Sequence, residues 1–463
     1  MIEKINASRS AESRAVFVYL YLILINLLLI FTASCATSRN AFIEIDTAVE
    51  QGNFPAAIEE IKRAQGSGRV IYREKNAISF FLDKGFLEHY AGNYAESSGY
   101  LQNAERLIEE AYTKSISEKF LSYIINDNVK EYPGEDFEDI YLNIFNALNY
   151  YNIGNTEGAL VEVRRLSMTN GKLDMLSRKY NYTDPETGAS LNDTVKNETG
   201  VSQIPQTQKT NFSNSALARY LSALFYQADR NRDSARIEFD QIERAFYSNR
   251  TVYQNMLPLA VEQARNIPEG KARLNIISFT GLSPVKKETA VIHYLPFRHP
   301  VLRIAVFKLP VLVKRPSRIT RIEVIADNAG RFDLELLEDM GAVIEETFRS
   351  RYANILAKTY IRTILKYAAA DIAAMEAVRQ NGELAGFMIA LAARAGADVS
   401  ERADVRMSRF LPDKAYIGGI NLDPGNYTVI INYYSGNNLI ARESREAAAV
   451  IGRLNLLHTV NLR

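Results

Sequence analysis

Between Asn40 and about Tyr180 the apolar residues recur at the three-to-four spacing of amphipathic helices, interrupted by short polar turns. Ile45, Ala48 and Val49 share one helical face, and Ala57, Ile58, Ile61 and Ala64 share the next. Between them stands Gly52-Asn53-Phe54-Pro55, where Gly ends one helix and Pro opens another. The pattern returns at Gly92-Asn93-Tyr94, followed by Ser97, Leu101 and Ala104. It returns again at Gly154-Asn155-Thr156, followed by Ala159, Val163 and Leu166. A weaker copy, Arg230-Asn231-Arg232, precedes Ala235, Phe239 and Ile242. In all four, the offsets from the first turn residue are 5, 9 and 12, while the starts lie 40, 62 and 76 residues apart.

After about Lys271 the period shortens. Leu274–Phe279, Ala290–Tyr294, Leu302–Leu309 and Ile319–Ala326 are β-branched or alternating runs bounded by Gly and Pro, which predicts strands. A helical block is expected from Phe332 to about Arg394. Ile344, Phe348, Tyr352 and Ile355 lie on one face, continued by Ile361, Ile364, Leu365 and Ala368. Within it Leu384–Ala393 is too short to span a bilayer and reads as a buried helix. Strands return at Ala415–Leu422 and Tyr427–Tyr433, joined across Asp423-Pro424-Gly425-Asn426, and at Leu454–Leu462. The expected fold class is α+β, with an N-terminal helical array and a C-terminal domain whose strands flank a helical block and pack back on one another.

Two local patterns resemble known devices. Each Gly-Asn turn with its 5, 9 and 12 positions resembles the turn and second helix of a tetratricopeptide-like helix pair, here degenerate and unevenly spaced. At the N-terminus, Lys4, Arg9 and Arg14 precede an apolar run from Ala15 to Ala33, and Thr32-Ala33-Ser34 leads directly into Cys35. That layout is a secretory signal, and the cysteine after small residues resembles a bacterial lipobox, with Thr32 where Leu is usual. The resemblance implies cleavage between Ser34 and Cys35 and acylation of the Cys35 thiol. Ala36, and no Asp, follows the cysteine, so the outer membrane facing the periplasm is the expected address. The expected domains are a signal peptide over 1–34, a tetratricopeptide-like domain over 35–270 with a polar insertion near 181–215, and an α+β domain over 271–463. Triplets such as Asn192-Asp193-Thr194 in the insertion reflect its composition.

Composition narrows the function classes. Of 463 residues, 55 are Lys or Arg and 54 are Asp or Glu, a balance that argues against a general nucleic-acid binder. With a single Cys the chain forms no internal disulfide, zinc ribbon or iron–sulfur cluster.

Few residues carry a recognisable chemical motif. His89, His293, His299 and His458 are scattered, and no His-Glu-x-x-His stretch exists, so no metal site is expected. Gly171-Lys172 lacks the remainder of a phosphate loop. Ser283-Pro284-Val285-Lys286 fits Ser-x-x-Lys, but Pro follows the Ser amid strands, where a helix start is required. Glu59-Glu60 and Glu345-Glu346 are adjacent on helices and point about 100° apart, as solvated faces. Lys314, Arg315, Arg318 and Arg321 form the densest basic cluster, a candidate anion patch or a charged sheet edge. Tyrosines crowd the helical region. Tyr90, Tyr94, Tyr141 and Tyr150, with Arg164 and Arg165, are the candidates for a partner groove.

Tyr132-Pro133-Gly134-Glu135-Asp136-Phe137-Glu138, Ala147-Leu148-Asn149-Tyr150 and Gly158 to Arg165 resemble an uncharacterised family of bacterial envelope lipoproteins with tetratricopeptide-like helices. Gly281 to Glu288, Asp339 to Lys366, Ala403 to Arg406 and Leu411-Pro412 agree with it, while Ser408 stands near a position where the pattern has Trp. The resemblance implies envelope location and carries no activity. The expected function is a non-enzymatic scaffold for envelope proteins, membrane-held through lipid, with no cofactor and no small-molecule substrate. Two other readings are an activator of a peptidoglycan synthase and a hydrolase in which Asp339, Glu346, Lys358 or Asp404 converge.

Overall fold

The computed structural model describes residues 42–66, 71–115, 128, 130–168, 171–175, 212 and 214–463. The signal peptide, Ser34, Cys35 and nearly all of the polar insertion lie outside them. Two compact units divide the chain, one running to Arg73 and the other from Glu74 to Arg463.

In the first unit a helical stretch at 42–50 is followed by α1 (Phe54–Gly66). The second opens with α2 (Ala77–Tyr90), α3 (Tyr94–Ser115), α4 (Asp136–Asn152), α5 (Thr156–Ser167), α6 (Ala216–Ala228), α7 (Arg232–Ser248) and the short α8 (Leu259–Arg265). From α2 to α7 each helix packs on the next.

The four turns seen in the sequence share one geometry. Gly52, Gly92 and Gly154 take φ of +74°, +82° and +77°, and Arg230 adopts +61° in the same role. In each turn the left-handed residue and the Asn after it return two N–H groups to the last helical carbonyls. Gly154 donates to Tyr151 and Asn155 to Tyr150, for example, at 3.0 and 2.8 Å. This is a Schellman close, and its last residue starts the next helix. Asn53, Asn155 and Asn231 each accept a hydrogen bond through Oδ1 from the N–H three residues on. One Asn therefore satisfies orphan groups of two helices. The residues at offsets 5, 9 and 12 are buried in all four cases.

Strand β1 (Ala272–Tyr294) joins the two runs expected as separate strands, because its first half is buried between two neighbours. Along Ala272–Thr280 it pairs antiparallel with β6 (Pro412–Leu422) and parallel with β9 (Asn455–Asn461), so Ile277 lies between Ile417 and His458. Its second half pairs with β2 (Ile304–Arg315), and β5 (Glu335–Asp339) joins the far side of β6. The last strands thus pair with the first. A second sheet orders β4 (Gly330–Asp333), β3 (Arg321–Ala326), β7 (Gly425–Ser435) and β8 (Asn438–Ala449). Leu274 and Ile276 of one sheet pack with Val324, Ile431 and Tyr433 of the other, making a sandwich core. The opposite face of the first sheet receives the helices, with Phe145 of α4 on Phe279 at 4.8 Å between ring centroids.

The helical block begins later than expected. Phe332 to Asp339 belongs to β4, Leu334 and β5, and α9 runs from Met340 to Asn381. Leu and Glu favour helix, but edge pairing with β3 and β6 outweighs that preference. Gly382 alone separates α9 from α10 (Glu383–Ser400). The apolar run inside α10 departs from expectation: Leu384, Phe387, Met388, Ile389 and Leu391 are exposed. The small residues Gly386, Ala390 and Ala397 supply its buried side instead.

Candidate functional site

A cleft of about 430 Å³ opens between α3 and α5. Gln102, Glu105, Arg106 and Glu109 line one wall, and Gly158, Val161, Glu162 and Arg165 the other. The spacings of three and four place each set on one helical face. Tyr150 of α4 closes the base, its hydroxyl accepting from Gln102 Nε2.

Beneath the walls lies a buried charged network. Asn143 Nδ2 donates to Glu105 Oε1 at 2.9 Å and to Glu162 Oε2 at 2.5 Å, bridging the two carboxylates. Lys172 meets Glu105 at 2.7 Å and Asp139 at 2.6 Å, and Arg165 meets Glu105 from the solvent side. Burial pushes both glutamates upward. For Glu105 the neighbouring Lys172, Asn143 and Arg165 outweigh burial and hold it below the ordinary carboxylate range. For Glu162 burial prevails and the carboxyl is raised. The cleft is thus lined by two carboxylates shifted in opposite directions, an exposed guanidinium and an aromatic hydroxyl. Such groups can hydrogen-bond to polar or cationic side chains.

The six residues expected to form one groove do not meet. Tyr150 and Arg165 reach the cleft. Tyr141 is fully buried and donates to Glu338 at 2.8 Å. Nine residues separate it from Tyr150, which on a helix is half a revolution. Tyr90 donates to the Phe410 carbonyl at 2.7 Å, and Tyr94 packs edge-on against His89 and His458. Arg164 turns away toward Asp229, 3.8 Å distant. Asn143, Glu105, Glu162 and Lys172 were not among the groove candidates, although the acids on α3 and α5 carry a helical spacing that marks one face.

The basic cluster likewise disperses. Lys314 pairs with Glu345 at 2.6 Å, and Arg315 donates to the Ser283 and Arg409 carbonyls. Arg321 lies over the Tyr434 ring at 4.2 Å and meets Asp333 at 3.1 Å, while Arg318 stays at the surface. Lys314 and Arg315 thus belong to β2 of the first sheet and Arg321 to β3 of the second, each with partners of its own.

Three of the four hydrolase candidates have partners of their own. Asp339 caps α9 through the Ala342 N–H, Glu346 pairs with Arg349, and Asp404 is forked to Arg406. Ser283 Oγ is buried without a hydrogen-bond partner, and Lys286 is committed to Glu135. No group of three or more His, Cys, Asp or Glu suited to a metal occurs among the described residues. Two histidines do meet: the His89 and His458 rings lie tilted against each other with centroids 4.8 Å apart.

Comparison with protein-family models, with curated proteins and with solved structures returned no match to this chain. Among the described residues no helix is long and apolar enough to cross a membrane.

Proposed function

We propose that the chain is a non-enzymatic lipoprotein of the bacterial envelope that docks other envelope proteins through its helical region. Its leader and Cys35 supply the expected address, an outer-membrane leaflet facing the periplasm. The tetratricopeptide-like reading draws support from four turns of one geometry, each followed by buried residues at the same offsets.

The observation that carries the docking role is the cleft between α3 and α5, where Tyr150, Arg165, Glu105 and Glu162 face one space of about 430 Å³. A tyrosine beside an arginine on rigid helices is the composition of a protein-contact hot spot. Tethering raises the local concentration of whatever it holds.

The test has two parts. Mass spectrometry of chain purified from envelope should find a lipid-modified N-terminal Cys35; an intact leader with a free thiol overturns the address. Cross-linking from a photoreactive group at Val161 should trap an envelope protein, and Tyr150→Ala with Arg165→Ala should abolish that product. An unchanged product overturns the cleft as the docking site.

A further inference from the structure

The α9–α10 hairpin is built inside out for a structure in water. Toward its tip the seam is made of small residues, Ala374 of α9 with Gly386 and Ala390 of α10, while toward its base Tyr367 meets Asp398, Arg362 meets Glu401, and Leu302 and Phe307 pack in the same core. Gly386 sits so close to α9 that a Cβ there would stand 2.1 Å from Val378 Cγ2 and 2.9 Å from the Ala374 carbonyl. The large side chains point the other way. Leu384, Phe387, Met388, Ile389 and Leu391 of α10 and Ile372 of α9 are all exposed, Ile372 at 73% and Leu384 at 63%. In a water-soluble hairpin these groups would fill the seam. Small residues at the seam and large apolar ones outside is the arrangement of helices whose surroundings are lipid.

The breadth of the face selects the occupant. At about 100° per residue, the exposed apolar positions from Leu384 to Val399 sweep an arc of about 200° around α10. A partner helix or groove covers roughly half of that, the width of an ordinary core-facing stripe. No charged residue falls between Glu383 and Arg394. A fluid apolar phase wraps such an arc where a folded partner cannot. The chain carries its own reason to be beside a bilayer, the apolar leader from Ala15 to Ala33.

We propose that the tip of the α9–α10 hairpin embeds its outer face in the acyl region of a lipid bilayer, as a second membrane contact distinct from the N-terminal attachment. The hairpin does not cross. It lies in the interface as an amphipathic element, with its seam protecting the backbone. The contact is independent of the docking role, and it holds whether Cys35 or the leader itself attaches the chain.

The chain contains no tryptophan, so Phe387→Trp places a single indole on this face. The full chain carrying it is reconstituted in vesicles of phosphatidylethanolamine and phosphatidylglycerol, with and without bromine on the acyl chains. The expected result is a blue-shifted emission quenched by the brominated lipid. Tyr247→Trp, on the exposed surface of α7, should remain unshifted and unquenched. Adding Met388→Asp to Phe387→Trp should leave the circular dichroism unchanged and remove the quenching. A water-like emission from Phe387→Trp overturns the proposal, as does equal quenching of both indoles. A blue shift without quenching, together with a doubled mass in sedimentation, overturns it in favour of a second copy.

Discussion

The imidazoles of His89, at the end of α2, and His458, on β9, lie against each other with ring planes 32° apart. His89 Nδ1 is 2.6 Å from Asn149 Oδ1, while Asn149 Nδ2 donates to Ser97 Oγ at 2.7 Å. The Asn oxygen accepts, so His89 carries its proton on Nδ1 and leaves Nε2 buried without a partner. The pair joins helices to sheet.

Burial lowers His89 to about 4, partly offset by Asn149, and burial together with His89 and Arg445 holds His458 well below the ordinary histidine range. Tyr90 and Tyr94 are the other titratable groups against His89, and neither ionises in acid. A depressed histidine contributes stability that is complete above its unfolded value of 6.5 and is lost as pH falls toward 4. The urea midpoint should therefore drop across that window, with a contribution from His89 on the order of 3 kcal/mol. His89→Gln should flatten the slope. An equal slope in both proteins would show that the pair is not the acid-sensitive element.

Glu138 acts in the opposite sense. It is fully buried, and burial with nearby Glu135 raises it to about 7 against the pull of three donors, the Tyr132 hydroxyl and the Ser408 and Glu135 N–H groups. A raised carboxyl contributes stability that is present below its unfolded value of 4.5 and declines as pH rises through about 7. Glu138→Gln should lower the midpoint at pH 5 and remove the decline toward pH 7. Denaturant curves at the two pH values check both statements.

Glu338 of β5 collects three hydroxyls in the same interior. Tyr253 donates at 2.7 Å, Tyr141 at 2.8 Å and Ser215 at 2.9 Å, and the Leu217 N–H adds a fourth contact at 3.2 Å. Tyr141→Phe and Tyr253→Phe should each cost about 1–2 kcal/mol. Glu338→Leu should cost more, because it strands several buried donors together. Combining Glu338→Leu with Tyr253→Phe should be less than additive. Full additivity in a double-mutant cycle would remove the shared network.

The shared turns allow a reciprocal test. Gly154→Ala meets no neighbouring atom, so its whole effect comes from φ near +77°, at a cost of about 1 kcal/mol. Arg230 already occupies that region at +61°, so Arg230→Gly should stabilise by roughly 0.5 kcal/mol or more. Thermal midpoints moving in opposite directions confirm the common geometry; parallel shifts refute it.

The cleft was half legible beforehand. Tyr150 and Arg165 stood among its candidates, since aromatic and guanidinium groups crowd that stretch of chain. Tyr141 and Tyr90 look the same in sequence, and only their packing on Glu338 and Phe410 sets them apart. Lys172 seemed a fragment of a phosphate loop, yet it is the counter-ion of Glu105 and Asp139, which come from two other helices.

Local chemistry determined what the sequence could determine. Nine residues, Tyr150 to Gly158 in one case, suffice to close one helix and cap the next, so the four turns and the helices around them were readable from Gly, Asn and the spacing of apolar groups. Alternation announced most of the strands for the same reason. Contacts between distant segments decided the rest. Phe332 to Asp339 became strand because β3 and β6 offered pairing, and β8, rich in Arg, Glu and Ala, became strand beside β7. The apolar run of α10 came to face outward because its glycine and alanines fit α9 more closely than its large residues could. Periodicity gives the width of an apolar face, but only the tertiary structure decides what that face meets.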